Sequence, residues 1–427
     1  MFRISLALLA LAPLALASAC DDATPSDPGD TPVDVAKSAL ERDLTPDVPA
    51  ADLATLVAGD NAFAFDLYRE LAVEDGNLVA SPHSVSVALA MTYAGAAGNT
   101  AAEMAAAMHY DLAQGALHPA FNALDLALSS RGEGAQGADG QPFRLRVVNA
   151  AWAQRDFVFL ASYLDTLGLN YGAGVRLMDF ATAPEPSRAT INAWVSEQTE
   201  TRIPELLPAG SIDAGTRLVL TNAVYFNAAW ETQFEPEDTT AEAFAGVGDV
   251  PTMVQTDYHG YASQDGWTAL ELPYDGGEVS MLLVTADDLA TFEAGLDNAV
   301  LASILGSLTT TRVEVHLPKF EYRKATPLVE PLSALGIQDA FSPGAADFSG
   351  MNGGRDLFIT AVLHEAFIKL DETGTEAAAA TAVIVGTTSA PPGPTVVRFD
   401  QPFVYLIRDV ATGAVLFIGR VSDPTAG

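Results

Sequence analysis

Histidine, cysteine and serine are the residue types of this chain that could carry nucleophilic, metal or general-base chemistry, and none of them is arranged for it. A single cysteine leaves no intramolecular disulfide. His364-Glu365 is followed by no second histidine at metalloprotease spacing, and no G-x-S-x-G pattern occurs. The histidines are scattered along the chain, at His83, His109, His118, His259, His316 and His364. The sequence therefore predicts no turnover catalysis, no metal and no cofactor.

The segment that precedes the single cysteine indicates how this cysteine is modified. An apolar run from Ile4 to Leu16 follows Arg3 and ends in the small residues at 17–19. This order is typical of a secretory signal with a cleavage site, and the run is short for a membrane span. Cys20 stands where a bacterial lipobox places its lipidated cysteine, although alanine replaces leucine at the first lipobox position. We expect residues 1–19 to be a signal peptide and Cys20 to carry lipid; the alternative is an ordinary signal peptide that ends beside a cysteine.

Lipidation would make the protein an exported lipoprotein of the cell envelope, anchored to a membrane on its periplasmic or extracellular face. Residues 21–34 are rich in Asp, Pro, Thr and Gly and offer little apolar surface to bury, which favours a disordered tether. We therefore assign residues 20–50 to the lipidated cysteine and this acidic tether, and residues 51–427 to one folded domain.

The charge of the chain excludes some partners. It carries 21 basic and 55 acidic residues, for a formal net charge of −34. Such a surface repels phosphate backbones and anionic polysaccharides, so neither nucleic acids nor heparin-like polyanions are expected to bind. The acidity itself is explained by solubility or by adaptation to a salty environment.

The elements that follow residue 50 alternate between helical and strand patterns. A first amphipathic helix is predicted from apolar residues at helical spacing, namely Leu56, Phe63, Leu67 and Leu71. The near-continuous apolar run from Leu218 to Phe226 indicates a strand that is buried on both faces. Residues 364–371 are another strand candidate. Helices dominate the first part and strands the second, which predicts a single α+β domain.

Several segments, in order along the chain, resemble the serpin family, and together they span residues 54–424. The resemblance implies a monomer in which helices pack on large, mostly antiparallel sheets and a reactive loop is exposed. The segments are Asn77–Val85 with Gly95–Thr100, Ile191–Val195, Leu206–Pro208, Thr221–Phe226 followed by Trp230, His316–Phe320, Ala346–Met351, Phe399–Phe403 and Phe417–Val421.

One further segment is similar to the hinge of inhibitory serpins. The hinge residues are Glu372, Gly374, Thr375, Glu376, Ala377, Ala378, Ala379, Ala380 and Thr381. In the mechanism that the resemblance implies, the cleaved loop enters the middle of a sheet as a new strand with alternate side chains buried. The alternate positions from Thr375 to Thr381 hold nothing large or charged, so their burial carries no clash and no desolvation cost. The alternative is a flexible linker, but a strand before the segment and prolines after it favour an exposed loop.

Family spacing from Gly374 implies a reactive bond between Thr388 and Ser389. The small residues around it suit proteases with shallow primary pockets, such as elastase-like or subtilisin-like enzymes. No arginine or lysine lies between Glu372 and Val397, which disfavours a trypsin-like target. The stretch after the bond is longer than usual, so the other bonds from Val385 to Ala390 stay open as candidates.

Four residues match the family's shutter, the place under the sheet where strands part: Ser81, Ser84, Asn222 and His364. Trp230 matches the tryptophan of the breach, where loop entry begins. Hydroxyl, amide and imidazole groups can satisfy one another in a buried cluster and exchange partners when a sheet opens. The plainer interpretations are a helix N-cap for Ser81, a polar group at a strand end for Asn222, a satisfied core histidine for His364 and a core aromatic for Trp230.

These features predict a suicide-type inhibitor of serine proteases, which traps the covalent acyl-enzyme by inserting its cleaved loop into its central sheet. The alternative is a non-inhibitory serpin that acts as a carrier, chaperone or surface protein. Such relatives tend to carry bulky, charged or proline residues in the hinge. Here the one charged residue between Thr375 and Thr381 is Glu376, which strand alternation places outward.

Overall fold

The computed structural model describes residues 33–375 and 393–426. Helix α1 (Ala50–Leu71) buries the four apolar residues whose spacing predicted it. Helix α2 (Pro82–Tyr93) begins with a proline, which loses no hydrogen bond in the first turn. All of its residues are buried, and many are small, so it runs through the core.

Most of the remaining helices lie on the outside of the sheets. Helices α7 (Leu289–Gly295) and α8 (Asn298–Ser307) begin at aspartate caps. The carboxylates of Asp288 and Asp297 accept from the backbone N–H groups of Thr291 and Val300, respectively. No helix among the described residues is both long and apolar enough to cross a membrane. The helices after α2 are α3 (Gly98–Ala107), α4 (Gln114–Ser129), α5 (Ala161–Tyr171), α6 (Pro184–Gln198), α7 (Leu289–Gly295), α8 (Asn298–Ser307), α9 (Val329–Ala334) and α10 (Ser349–Asn352).

The described strands form two sheets. In chain order they are β1 (Val35–Ala36), β2 (Leu78–Ala80), β3 (Arg144–Gln154), β4 (Val175–Met178), β5 (Leu218–Ala229), β6 (Thr240–Phe244), β7 (Gly248–Gln264), β8 (Trp267–Pro273), β9 (Val279–Ala286), β10 (Thr309–Pro318), β11 (Phe320–Pro327), β12 (Ile359–Leu370), β13 (Gly374–Thr375), β14 (Thr395–Arg398), β15 (Phe403–Asp409) and β16 (Val415–Val421). The central sheet has the order β1-β4-β3-β5-β13-β12-β11. The second sheet has the order β14-β10-β7-β8-β9-β15-β16-β2, and β6 pairs with β7.

Strand β5 is buried along its whole length because it has a core on each face. Leu220 and Val224 belong to the large core that includes α1, α2 and the second sheet. Val219 and Ala223 belong to a smaller core with α6. Burial on both faces explains the near-continuous apolar run, as the sequence predicted.

The predicted α+β domain is confirmed, with helices packed around large sheets whose strand pairs are mostly antiparallel. Within the central sheet, β3 pairs in parallel with β4, and β12 pairs in parallel with β5. The parallel β5–β12 pair lies at the centre of the sheet, directly beside the short strand β13.

Residues 33–49, here called the N-terminal strap, lie on one edge of the central sheet. β1 pairs with β4, and the Arg42 guanidinium donates to Asn122 and Asp125 on α4. Gly174 is needed here, since a Cβ at this position would lie 2.6 Å from the Ala36 carbonyl oxygen. The strap precedes residue 51, where the sequence analysis begins the folded domain, and it is held by hydrogen bonds and an ion pair, which leave no apolar periodicity. Residues 1–32, including Cys20, lie outside the described ranges.

Candidate functional site

The hinge begins inside the central sheet, in the gap between β5 and β12 that we call the slot. β13 pairs antiparallel with β5, with Gly374 opposite Ala229 and Thr375 opposite Ala228, and Thr375 also pairs with Leu370 of β12. Gly374 has φ +154°, and a Cβ on it would lie 2.1 Å from the Ala228 carbonyl oxygen. Only glycine fits at this point, where the chain enters between two strands.

Thr375 is the first hinge residue whose side chain enters the slot. It is 2% exposed, and its hydroxyl lies 2.8 Å from the hydroxyl of Tyr274. The Trp230 indole stacks on the Tyr274 ring with 4.6 Å between centroids, and its Nε1 donates to the Asp371 carbonyl at 3.1 Å. Trp230 and Tyr274 therefore form the wall against which the hinge enters.

Glu372 holds the start of the hinge from outside the slot. Its carboxylate accepts from Lys319 Nζ at 2.7 Å and from Thr239 Oγ1 at 2.7 Å. Partial burial raises the pKa of Glu372, but the hydrogen bonds from Lys319 and Thr239 outweigh burial, and the net shift is downward. The carboxylate is therefore a charged anchor for the hinge at neutral pH.

Below the hinge the slot is closed by hydrogen bonds between β5 and β12. These strands pair in parallel from Leu218 to Val224 on β5, and the pairing sets Asn222 opposite His364. A new strand between them must separate every one of these pairs. The shutter residues lie across this closed part of the slot.

The structure brings the four predicted shutter residues together. The Asn222 side chain contacts both Ser84 Oγ and His364 Nδ1. His364 Nε2 accepts from the Ser81 backbone N–H at 3.1 Å. Ser81 stands at the N-cap position of α2, but its hydroxyl donates to the Leu416 carbonyl at 2.7 Å instead of capping the helix. The cluster thus joins α2, β5, β12 and β16.

Asn149 is a fifth member of this cluster that the sequence analysis missed. It lies on β3 directly opposite Asn222, and its side chain contacts Asn222 and the Ser84 carbonyl oxygen. The signal that could have identified it is a lone amide in the apolar run from Val147 to Trp152. A polar side chain in such a strand needs a buried partner.

Replacing Asn149 by alanine is expected to weaken the closed slot. Asn222 and Ser84 would lose hydrogen-bond partners in a buried place, which costs about 1–3 kcal/mol of unfolding free energy. Urea unfolding measures this loss. Asn170→Ala, which removes an amide bonded only within α5 to the Thr166 carbonyl oxygen, is the matched control. Equal midpoints for the two variants would contradict a role for Asn149 in the cluster.

The pH dependence of stability reports on His364. Burial lowers the pKa of His364 to about 3, so the imidazole is neutral in the folded protein. In the unfolded chain it titrates near its ordinary pKa of about 6.5, so stability is complete above that pH and falls as the pH drops towards the folded value. At pH 5 the expected loss from this residue is about 2 kcal/mol relative to neutral pH.

Urea unfolding of the parent and of His364→Gln at pH 7.5 and pH 5 measures this contribution. Burial also lowers the pKa of His118, to about 4, but His118 is present in both proteins and cancels in the difference. The parent should lose more stability on acidification than the variant. Identical losses would show that His364 is not held neutral by the fold.

The other predicted site residues fall outside the described ranges. These are Cys20, the hinge residues Glu376 to Thr381 and the reactive-bond residues Thr388 and Ser389. Their assigned roles stay predictions. Within the described residues, no group of three or more His, Cys, Asp or Glu side chains could hold a metal ion.

Comparison with known proteins identifies sequences similar to most of this chain. The family model "Serpin (serine protease inhibitor)" matches residues 58–424. A leukocyte elastase inhibitor of Equus caballus is 36% identical over 386 residues, which cover 86% of this chain and 99% of that protein. A serpin-like protein of Thermococcus kodakarensis is 39% identical over 375 residues, which cover 86% of this chain and 85% of that protein.

Solved structures give the same result for the fold. Native tengpin, a thermophilic serpin, matches with a TM-score of 0.78 at 26% identity and covers 91% of this chain and 97% of its own. Uncleaved ovalbumin matches with a TM-score of 0.78 at 28% identity and covers 87% of this chain and 100% of its own.

Proposed function

Because this chain belongs to the serpin family, whose model is described as serine protease inhibitor, we propose that it traps elastase-like or subtilisin-like serine proteases. The protease serine attacks the carbonyl carbon of Thr388, the amine of Ser389 leaves, and the inhibitor stays bound to the protease as an acyl ester. The freed segment then enters the slot behind β13. Similarity to leukocyte elastase inhibitors supports this class of target.

The main support for this proposal is the position of β13. Its pairs with β5 and β12 set the register that the rest of the loop would follow on insertion. Gly374 lies opposite Ala229, and the same antiparallel register continued to Leu218, the first residue of β5, reaches Val385. Counting along β12 from the Thr375–Leu370 pair to Ile359 reaches Gly386. The two walls of the slot agree within one residue, and both end just before Thr388.

Continued in the same register, an inserted strand would bring Thr381 to the shutter. The position opposite Thr381 is Asn222 on β5 and His364 on β12, counted from the same two starting pairs. These two residues are in hydrogen-bond contact with each other in the closed slot. Insertion separates them, and a threonine hydroxyl, which both donates and accepts, can bond to either one. The hydroxyl of Thr381 could therefore replace the hydrogen bond that Asn222 and His364 lose when the loop inserts.

The distance that the loop travels accounts for the trapping. Fifteen residues from Gly374 to Thr388 extend by about 3.3 Å each, or roughly 50 Å in total. The tethered protease is carried from one end of the slot to the other and is pressed against the inhibitor there. Distortion of its active site would then stop hydrolysis of the acyl ester.

Incubation with elastase and with subtilisin tests the proposal. A covalent complex that survives denaturing gel electrophoresis supports inhibition, and mass spectrometry of the released C-terminal peptide identifies the reactive bond among those from Val385 to Ala390. Clean cleavage without a complex would favour the second candidate function, a non-inhibitory carrier, chaperone or surface protein.

We further propose that Cys20 anchors the protein to a membrane of the cell envelope by lipid. Its position after small residues supports this, and the acidic segment that follows would act as the tether to the strap. Replacing Cys20 by serine removes the thiol that carries the lipid. The variant should then move from the membrane fraction to the soluble fraction, whereas Ser26→Ala in the tether should not. An unchanged distribution of Cys20→Ser would contradict the anchor.

A further inference from the structure

A cavity of about 720 Å³ lies between the N-terminal strap, the end of α5 and the edge of the central sheet. Its wall is formed by residues 35–42 of the strap, two residues of β3, the turn after α5 and the start of β4. Sites for organic small molecules have volumes of about 300–1,000 Å³. The cavity is therefore large enough for such a ligand, and it shares one lining residue, Asn149, with the shutter cluster.

The charge of this wall is opposite to that of the protein. The chain has 55 acidic and 21 basic residues, whereas the wall has three cations, Lys37, Arg42 and Arg176, and one carboxylate, Glu41. Arg42 is compensated by Asp125 at 2.6 Å. Among the described residues, neither Lys37 nor Arg176 has a carboxylate within ion-pair distance. A concave surface with an excess of positive charge concentrates anions, so this cavity attracts them.

The guanidinium of Arg176, a lining residue of the cavity, is held in place by two aromatic rings. Its guanidinium carbon lies 4.4 Å from the ring centroid of Trp194 and 5.2 Å from that of Trp152. Stacking occupies the faces of a guanidinium and leaves its N–H edge available for hydrogen bonds to an oxyanion. Partial burial lowers the pKa of Arg176, because desolvation disfavours the charged form, and a bound anion would offset this cost.

Lys37 lies beside Gly174, two residues before Arg176 in the chain. Val35 is directly opposite Arg176, and Lys37 follows one residue after the end of β1. The two cations thus come from different walls, one rigid and stacked, the other an exposed and adaptable ammonium group. Arginine recognises the geometry of a phosphate, and lysine adds a second point charge.

We propose that this cavity binds a small organic phosphate between Arg176 and Lys37. A phosphate monoester carries nearly two negative charges at neutral pH and so matches two uncompensated cations. An extended polyanion is disfavoured, since the protein as a whole carries a formal net charge of −34. The proposal does not depend on protease inhibition.

Calorimetric titration of the purified protein with glycerol 3-phosphate tests the site. Saturable binding should weaken at least about tenfold in Lys37→Gln and in Arg176→Gln, which is the loss of roughly 1.4 kcal/mol for one ionic hydrogen bond. Arg312→Gln is the control, because Arg312 also has no carboxylate partner among the described residues but lies on β10. Saturating ligand should raise the unfolding temperature of the parent by a few degrees.

Phosphatidylglycerol vesicles, with phosphatidylcholine vesicles as reference, form a second arm that distinguishes a lipid headgroup from a free phosphate. Binding of glycerol 3-phosphate or of phosphatidylglycerol vesicles that depends on Lys37 supports the site. Which of the two binds tells whether the ligand is a free phosphate or a lipid headgroup. Because Lys37 is exposed, its replacement leaves the fold intact and keeps the test valid if Arg176→Gln unfolds. Absence of binding by the parent in both arms, or equal binding by Lys37→Gln, would overturn the proposal.

Discussion

Replacing Thr375 by arginine is expected to turn the inhibitor into a substrate of its target protease. Thr375 is buried in the slot against Tyr274. A guanidinium there would lose its hydration without gaining a carboxylate partner, which costs several kcal/mol. Insertion is slowed about tenfold for every 1.4 kcal/mol of this cost, whereas deacylation of the protease keeps its rate. The protease therefore completes hydrolysis and escapes.

The stoichiometry of inhibition measures this partition. It should rise from about one inhibitor consumed per protease trapped to at least about ten, because the two outcomes compete with a rate ratio set by the insertion barrier. Glu376→Arg is the matched control: strand alternation places that position outward, where arginine stays hydrated. An unchanged stoichiometry in Thr375→Arg, or an equal rise in both variants, would contradict the register of the hinge.

Cleavage of the loop near Thr388 by a protease that escapes trapping is expected to raise the unfolding temperature by tens of degrees. The freed segment would add a full strand to the middle of the central sheet, with hydrogen bonds to β5 on one side and to β12 on the other. The gain is of the order of ten kcal/mol, and each kcal/mol moves the midpoint by about 2–4 °C in a protein of a few hundred residues.

Differential scanning calorimetry of the intact and cleaved proteins measures this change. Thr375→Arg, cleaved in the same way, is the control, since its loop is hindered from entering the slot. Coincident transitions of the intact and cleaved parent would show that no strand is added. The non-inhibitory carrier or chaperone would then be the better account of the protein.

The parts of the site that could be predicted from sequence are those with a local chemical signature. Asn222 is an amide in an apolar strand and His364 precedes Glu372 at the family spacing, so both could be named before their contact was known. In the same way, the apolar run of β5 predicted that this strand is buried on both faces. Each of these signals is present within a few residues of chain.

The parts that could not be predicted depend on long-range register. The entry of Gly374 between the strands is set by the Ala228 carbonyl oxygen, about 146 residues earlier in the chain. Asn149 joins the shutter because β3 pairs with β5 at that one register. The strap is bound to α4 by Arg42 and carries no apolar periodicity. The entry point of Gly374 and the attachment of the strap leave no trace in the local sequence, and the lone amide of Asn149 does not tell which residue it will face.

A strand that enters the slot would separate β5 from β12 progressively, starting from the end where β13 lies. β13 already lies between β5 and β12 at that end. The first intact parallel pair beyond it, here called the tip, is Val224 with Ala366. From this tip onward, each inserting residue would break one parallel pair and form antiparallel bonds on two sides, which are more stable per residue, so the tip would advance in one direction only. If the loop inserts as proposed, the strength of this single tip would govern the shelf life of the uncleaved protein, and warming should shorten it steeply.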